Sequence, residues 1–275
     1  MLDKWLAYNA RNPNKFCFSL IDVSEKAKRS NRLKGYLSKE VLESYRNIDA
    51  LKKLFENKTE KALRDYLDAY VFPDAKNTIN KNVRQGDFGE ILAGLIVAHF
   101  CGLEIPIHKL RWKFNSNRSV FCTDMIAHNS GQHITDIYYY EVKSRLNIQK
   151  EAVKKVSNYV TVNAHNALLK DEQGNNEGIA DFLFRLHAEL ENFDESLKYG
   201  EIVTRSAKFV RHFELFFIIE QSAYIEDILD DLNNLPPSLA PINVTIVLLD
   251  GLNNLVVDVI NHAKQQAVDI VFNGK

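Results

Sequence analysis

ITDIYYYEVKSR, residues 134–145, is a run rich in β-branched and aromatic residues that follows a turn-forming segment, and it reads as a strand. Side chains alternate faces along a strand, so Glu141 and Lys143 point to one side while Val142 points into the opposite layer. Immediately upstream, SVFCTDMIA (119–127) has the same character, is bounded by Asn115-Ser116-Asn117 and by HNSGQ, and reads as a second strand carrying Asp124. Further back, RQGDFGE (84–90) leads into the apolar helical segment ILAGLIVAHF (91–100), which places Glu90 on a helix beside small residues that permit close packing.

A helix with Glu, a strand with Asp and a strand with Glu-x-Lys is the arrangement of the PD-(D/E)xK nuclease superfamily, which this segment resembles. The resemblance implies an α/β, restriction-endonuclease-like core, a mixed sheet flanked by helices. Two carboxylates on neighbouring strands with a backbone carbonyl between them supply the oxygen ligands that a hard divalent cation needs. Such a cation polarises a phosphodiester and lowers the pKa of its bound water. Lys143, beside that water, can orient it, help to deprotonate it, and offset charge developing on the phosphate. By the resemblance Asp124 and Glu141 are metal ligands with the Val142 carbonyl between them, Glu90 reaches the metal or its water from the helix, and the cofactor is Mg²⁺ or Mn²⁺. The tripeptide alone is a weak signal. Glu56-Asn57-Lys58 and Asp74-Ala75-Lys76 have the same form in helical or loop-like surroundings, and Glu141-Val142-Lys143 by itself equally fits a solvated strand face with an ion pair. Asp124 before the turn and Glu90 on the preceding helix favour the site.

The 275 residues are 45% hydrophobic, the composition of a globular protein that buries a substantial core in one large domain or two small ones. A formal net charge of −1 argues against a protein that coats nucleic acid indiscriminately and leaves room for a local basic face. MLDKWLAYNARN (1–12) lacks the apolar stretch of a secretory signal, and the run from Ile91 to Leu103 is too short to span a bilayer. Cys17, Cys101 and Cys122 are odd in number and widely spaced, which fits a reducing cytoplasm rather than a disulfide framework or a zinc site.

The spacing predicts a mainly helical N-terminal region over residues 1–80, preceding a nuclease-like domain over 81–275. Within it KFCFSLIDV (15–23) is strand-like. Ser38 is the expected N-cap of a helix carrying Leu42, Tyr45, Leu51 and Phe55, and Thr59 that of a second helix ended by Pro73. KAKRSNRLKGY (26–36) reads either as a solvated loop or as a phosphate-contacting or partner-docking arm. Lys109, Arg111, Lys113 and Arg118 flank Trp112 and Phe114, an aromatic-and-cation pattern suited to an unwound strand or, alternatively, a β-ribbon with Trp112 in the core. Residues 147–169 read as a helix exposing Lys150, Lys154 and Lys155, further candidates for phosphate contacts. DEQGNNEG (171–178) is a loop by composition, residues 179–197 an ordinary amphipathic helix, and its lone His187 structural. The end of the chain alternates: HFELFFIIE (212–220) a buried strand, SAYIEDILDDLNNL (222–235) a helix, NVTIVLLD (243–250) a buried strand, and 253–272 a helix. Its many acids repel DNA.

The Gly-x-x-Gly-Glu helix at 86–90, Thr123-Asp124, Glu141-Val142-Lys143-Ser144 and the FFIIE and TIVLLD strands resemble the nuclease subunit of Hachiman-type bacterial antiphage systems. That resemblance implies a cytoplasmic, metal-dependent DNA nuclease acting as a defence effector, paired with a superfamily 2 DNA helicase that restrains or releases it. Two other readings remain open: a stand-alone restriction-type endonuclease, and a catalytically degenerate nuclease fold that only binds DNA or a partner.

Overall fold

The computed structural model describes residues 1–275 other than 13–14, 119–122, 132, 149–159, 174–176, 207, 236–238, 240–241 and 275. The C-terminal alternation forms the centre. Strands β5 (Val210–Glu220) and β6 (Ile242–Leu249) are apolar over most of their length because both their faces are covered. Leu215, Phe217 and Ile219 of β5 enter one hydrophobic cluster, and Phe216 and Ile218 enter a second on the opposite side. Parallel to them run β2 (Ser19–Glu25) and β4 (Asp136–Arg145), while β1 (Leu6–Ala10) and β3 (Met125–His128) pair antiparallel at the two edges. The resulting mixed sheet has six strands in the order β1-β2-β6-β5-β4-β3.

Helices cover both faces, so the fold is α/β. On one side lie α1 (Leu2–Trp5), α2 (Asn31–Tyr45), α3 (Ile48–Phe55), α4 (Glu60–Tyr66), α5 (Thr78–Ile96) and α10 (Leu252–Phe272). On the other lie α6 (Val160–Gln173), α7 (Gly178–Glu189), α8 (Phe193–Thr204) and α9 (Asp227–Asn233). Among the described residues no helix is long and apolar enough to cross a membrane. Sheet and core both run across the expected boundary at residue 80: β2 pairs with β6, and α2 packs beside α10.

Several local expectations are corrected. β1, unforeseen in the sequence, forms a hairpin with β2, which starts at Ser19 rather than Lys15. Most of the basic segment 26–36 is helix, because Ser30, not Ser38, caps α2: its Oγ accepts the Leu33 N–H at 3.1 Å. Leu33 and Leu37 continue the buried stripe of Val41 and Leu42, and that burial extends the helix past Ser38, whose hydroxyl donates to the Val259 carbonyl at 3.0 Å. Arg29 pairs with Glu25 at 2.7 Å and Lys34 with Asp258 at 3.2 Å, so part of the proposed arm serves internal contacts. Thr59 caps α4 as expected, at 3.2 Å from the Ala62 N–H. Residues 179–197 are not one helix; Glu191, with φ 56°, breaks them into α7 and α8. Lys109–Trp112 form a 3₁₀ turn instead of a ribbon. At the far end Glu220 accepts the N–H groups of Gly251 and Leu252 at 3.0 and 2.7 Å, so this acid caps the start of α10.

Two glycines of α5 separate fold from site. A β-carbon on Gly89 would lie 2.8 Å from Ser144 Cβ on β4, whereas one on Gly86 would meet nothing within 4 Å. Gly89→Ala should therefore destabilise the protein by about 1–3 kcal/mol through a forced separation of helix and strand. Gly86→Ala should stabilise it by roughly 0.5–1 kcal/mol through helix propensity. Chemical denaturation of the two variants checks this; equal shifts of the same sign would contradict the close approach at Gly89.

Candidate functional site

The site forms where α5 crosses the end of β3 and the C-terminal half of β4. Asn77 caps α5 with its Oδ1 on the Asn80 N–H at 2.9 Å, so the helix starts well before Glu90 and carries that residue mid-helix. Asp124 lies immediately ahead of β3; residues 119–122 of the expected strand fall outside the described residues. The last β3–β4 pair on this side is Met125 with Tyr140. Beyond it, Asp124 Oδ2 takes over the ladder and accepts the Val142 N–H at 2.8 Å. Glu141 and Lys143 share one face of β4, as strand alternation requires, and Val142 enters the opposite hydrophobic cluster. The Lys143 ammonium donates to Glu141 Oε1 and lies 3.4 Å from Asp124 Oδ2.

Lys109 joins this group from the inside. Its side chain is 6% exposed, with Nζ 3.2 Å from Glu90 Oε2, 3.8 Å from Asp124 Oδ1 and 3.1 Å from the Thr123 carbonyl. Lys113 is equally enclosed, donating to both oxygens of Asp87 at 2.7 and 2.5 Å, and Tyr45 donates to the same carboxylate at 2.5 Å. Of the cations expected on a DNA-facing surface, these two therefore face inward. Arg111 Nε donates to the Glu43 carbonyl at 2.8 Å, and Arg118 is exposed. Trp112 packs edge-on against Phe182 but stays 42% exposed, and Phe114 stands entirely in solvent. Lys150, Lys154 and Lys155 lie outside the described residues.

Asp87 and Tyr45 were missed in the sequence, although Asp87 and Glu90 are spaced i, i+3 and so share a helix face. A cavity of ≈ 630 Å³ that no motif announces borders Glu90, Asp124 and Lys109 and extends past Ile91 and Leu95 to His128 and Tyr199. His187 stacks on the Tyr199 ring at its far end.

Burial sets the electrostatics. It pushes the Glu90 carboxyl well above its ordinary value; Lys109 counteracts this and Asp124 adds to it. Burial, reinforced by Asp124 and opposed by Lys143, does the same to Glu141. For Lys143 burial pulls downward, but Asp124 and Glu141 outweigh it and hold the ammonium above its usual range.

Among the described residues no three His, Cys, Asp or Glu side chains converge as a ready-made metal cluster. Lys109 stands between Glu90 and Asp124, and Lys143 touches both Asp124 and Glu141. The donor set nevertheless fits a hard cation. Glu90 Oε2 and Glu141 Oε2 are buried without a hydrogen-bond partner; for Glu90 the 3.2 Å approach of Lys109 lacks hydrogen-bond direction. Carboxylate oxygens of Glu141, Asp124 and Glu90 are the donor type that a hard cation such as Mg²⁺ or Mn²⁺ takes.

Raised carboxyl values make the native state hold protons that the unfolded chain releases. Their contribution to stability is full below the ordinary glutamate value of 4.5 and is lost as pH rises through the raised values. In metal-free buffer, Glu90→Gln and Glu141→Gln should flatten the fall in melting temperature between about pH 5 and about pH 8, whatever their absolute stability. Parallel curves for wild type and both variants would contradict buried, proton-holding carboxyls.

A family model described as HamA matches residues 1–263. No curated protein matches the chain. The matched span takes in α5, β3 and β4 with all four residues of the candidate site, as well as the first helices and most of α10. Membership fits a component of a Hachiman antiphage defence system, the context that the Glu90, Asp124 and Glu141-Val142-Lys143 motifs anticipated, and the chain belongs to the HamA family.

Proposed function

We propose that this protein is a PD-(D/E)xK-type, metal-dependent deoxyribonuclease, the effector of an antiphage system under the control of a partner DNA helicase. The observation that supports the reading is that Asp124 stands between two charge pairs, Glu141 with Lys143 on β4 and Glu90 on α5 with Lys109. Asp124, Glu141 and Glu90 are the residues that would hold Mg²⁺ or Mn²⁺, and a bound ion supplies polarisation of the phosphodiester and a more acidic water. Lys143, held protonated by its two acidic neighbours, offsets charge developing on the phosphate and keeps the attacking water in place. The exposed rings of Trp112, on the turn that carries Lys109, and of Phe114, just beyond it, suit stacking on bases of an unwound strand. The complete acidic and basic set favours catalysis over a degenerate binding module.

A net charge of −1 gives weak capture of DNA, consistent with delivery of the strand by a motor. In cleavage assays with Mg²⁺, Mn²⁺ or EDTA, Glu141→Gln and Lys143→Met should each lower the rate by at least about 10²-fold, since one removes a metal ligand and the other the positive charge beside the water and the phosphate. Lys58→Met and Lys76→Met should leave it unchanged. Divalent cation should raise the melting temperature of wild type but not of Asp124→Asn. Undiminished cutting by a Glu141→Gln/Lys143→Met double variant would remove the nuclease assignment. Degradation of linear and plasmid DNA should differ between the chain alone, its complex with the helicase, and a complex unable to hydrolyse ATP; identical activity in all three would leave a stand-alone nuclease.

A further inference from the structure

We infer that Lys109 is a tethered counter-ion that holds the place of a divalent cation between Glu90 and Asp124 and withdraws when one binds. The inference rests on the reading of these acids as a metal site, and it concerns a residue that the motif does not contain. Three oxygens from three residues surround the one ammonium: Glu90 Oε2 at 3.2 Å, Asp124 Oδ1 at 3.8 Å and the Thr123 carbonyl at 3.1 Å. Such an all-oxygen shell is what a hard cation uses. The Lys109 ammonium is held by charge toward Glu90 and Asp124 and by a hydrogen bond to the Thr123 carbonyl, contacts that a dication on the same oxygens replaces. An ammonium and a dication within about 4 Å of one another repel strongly, so the two exclude each other from this position.

The placement of the two lysines distinguishes their roles. Lys143 is fixed within β4, paired through that strand with β5, and its ammonium is held against Glu141. Lys109 stands on a 3₁₀ turn beside Leu110, which is 4% exposed, and Arg111, which ties the turn to the Glu43 carbonyl. Rotation of the Lys109 side chain leaves both anchors in place. It also leads toward the ≈ 630 Å³ cavity that Lys109 itself lines, so the ammonium has somewhere to go. Without metal the lysine keeps the acids together, and with metal it becomes an exposed cation on the cavity wall.

Mn²⁺ binding to the purified chain, followed by calorimetry without DNA, tests this. Lys109→Met should bind Mn²⁺ about tenfold more tightly or better, because a competing charge is gone, and Lys109→Arg should stay near wild type. A second measurement needs no variant: amine methylation read by mass spectrometry should leave Lys109 protected in metal-free protein and label it severalfold faster at saturating Mn²⁺. Equal or weaker Mn²⁺ affinity in Lys109→Met, or unchanged protection of Lys109, overturns the inference; if Asp124→Asn still abolishes binding, the metal site itself stands. Absence of Mn²⁺ binding in wild type and Lys109→Met alike overturns both.

Discussion

Carboxylates at the margin of an apolar core are tolerated only with positive charge a few ångströms away, and this requirement organises the centre of the molecule. Asp87 has Lys113 and the Tyr45 hydroxyl; Glu90 and Asp124 share Lys109; Asp124 and Glu141 share Lys143. The acids and lysines thus alternate from α5 across the end of β3 to β4. Neutralisation remains incomplete, because burial still raises Asp87, Glu90 and Glu141 and two carboxylate oxygens lack partners.

Layering determines where this chain of charges can form. Glu141 and Lys143 lie on one face of the sheet, while α5 and Glu90 belong to the helical layer on the other. Asp124 links them because β3 is an edge strand whose ladder stops at Met125: Asp124 accepts the Val142 N–H and faces Lys143, and Lys109 stands between it and Glu90. Gly89 completes the arrangement by letting α5 rest against Ser144, one residue beyond Lys143. The position at the C-terminal end of parallel strands is where α/β sheets commonly bind ligands, since the connecting segments diverge there and leave a crevice.

The strands HFELFFIIE and NVTIVLLD, the final helix and the same-face pairing of Glu141 and Lys143 were legible because each is a local pattern: continuous apolar runs, a helical stripe, period-two alternation. The first strand was not, because LAYNA gains its extended form by pairing with β2. Ser38 was the expected cap, but burial of Leu33 and Leu37 and packing against α10 carry the helix back to Ser30. The cations around Trp112 looked like one surface; Lys109 and Lys113 turned inward because Glu90 and Asp87, distant in sequence, needed counter-charge.

By itself the sequence determined the α/β alternation and the strand that carries Glu141 and Lys143 on one face, since side-chain period and residue type are local properties. Only the tertiary structure decided that Lys109 sits among these acids, that Tyr45 of α2 reaches Asp87 on α5, and that a cavity opens beside them. Those features depend on distances between segments far apart in the chain, which are fixed when helices and sheet exclude water together.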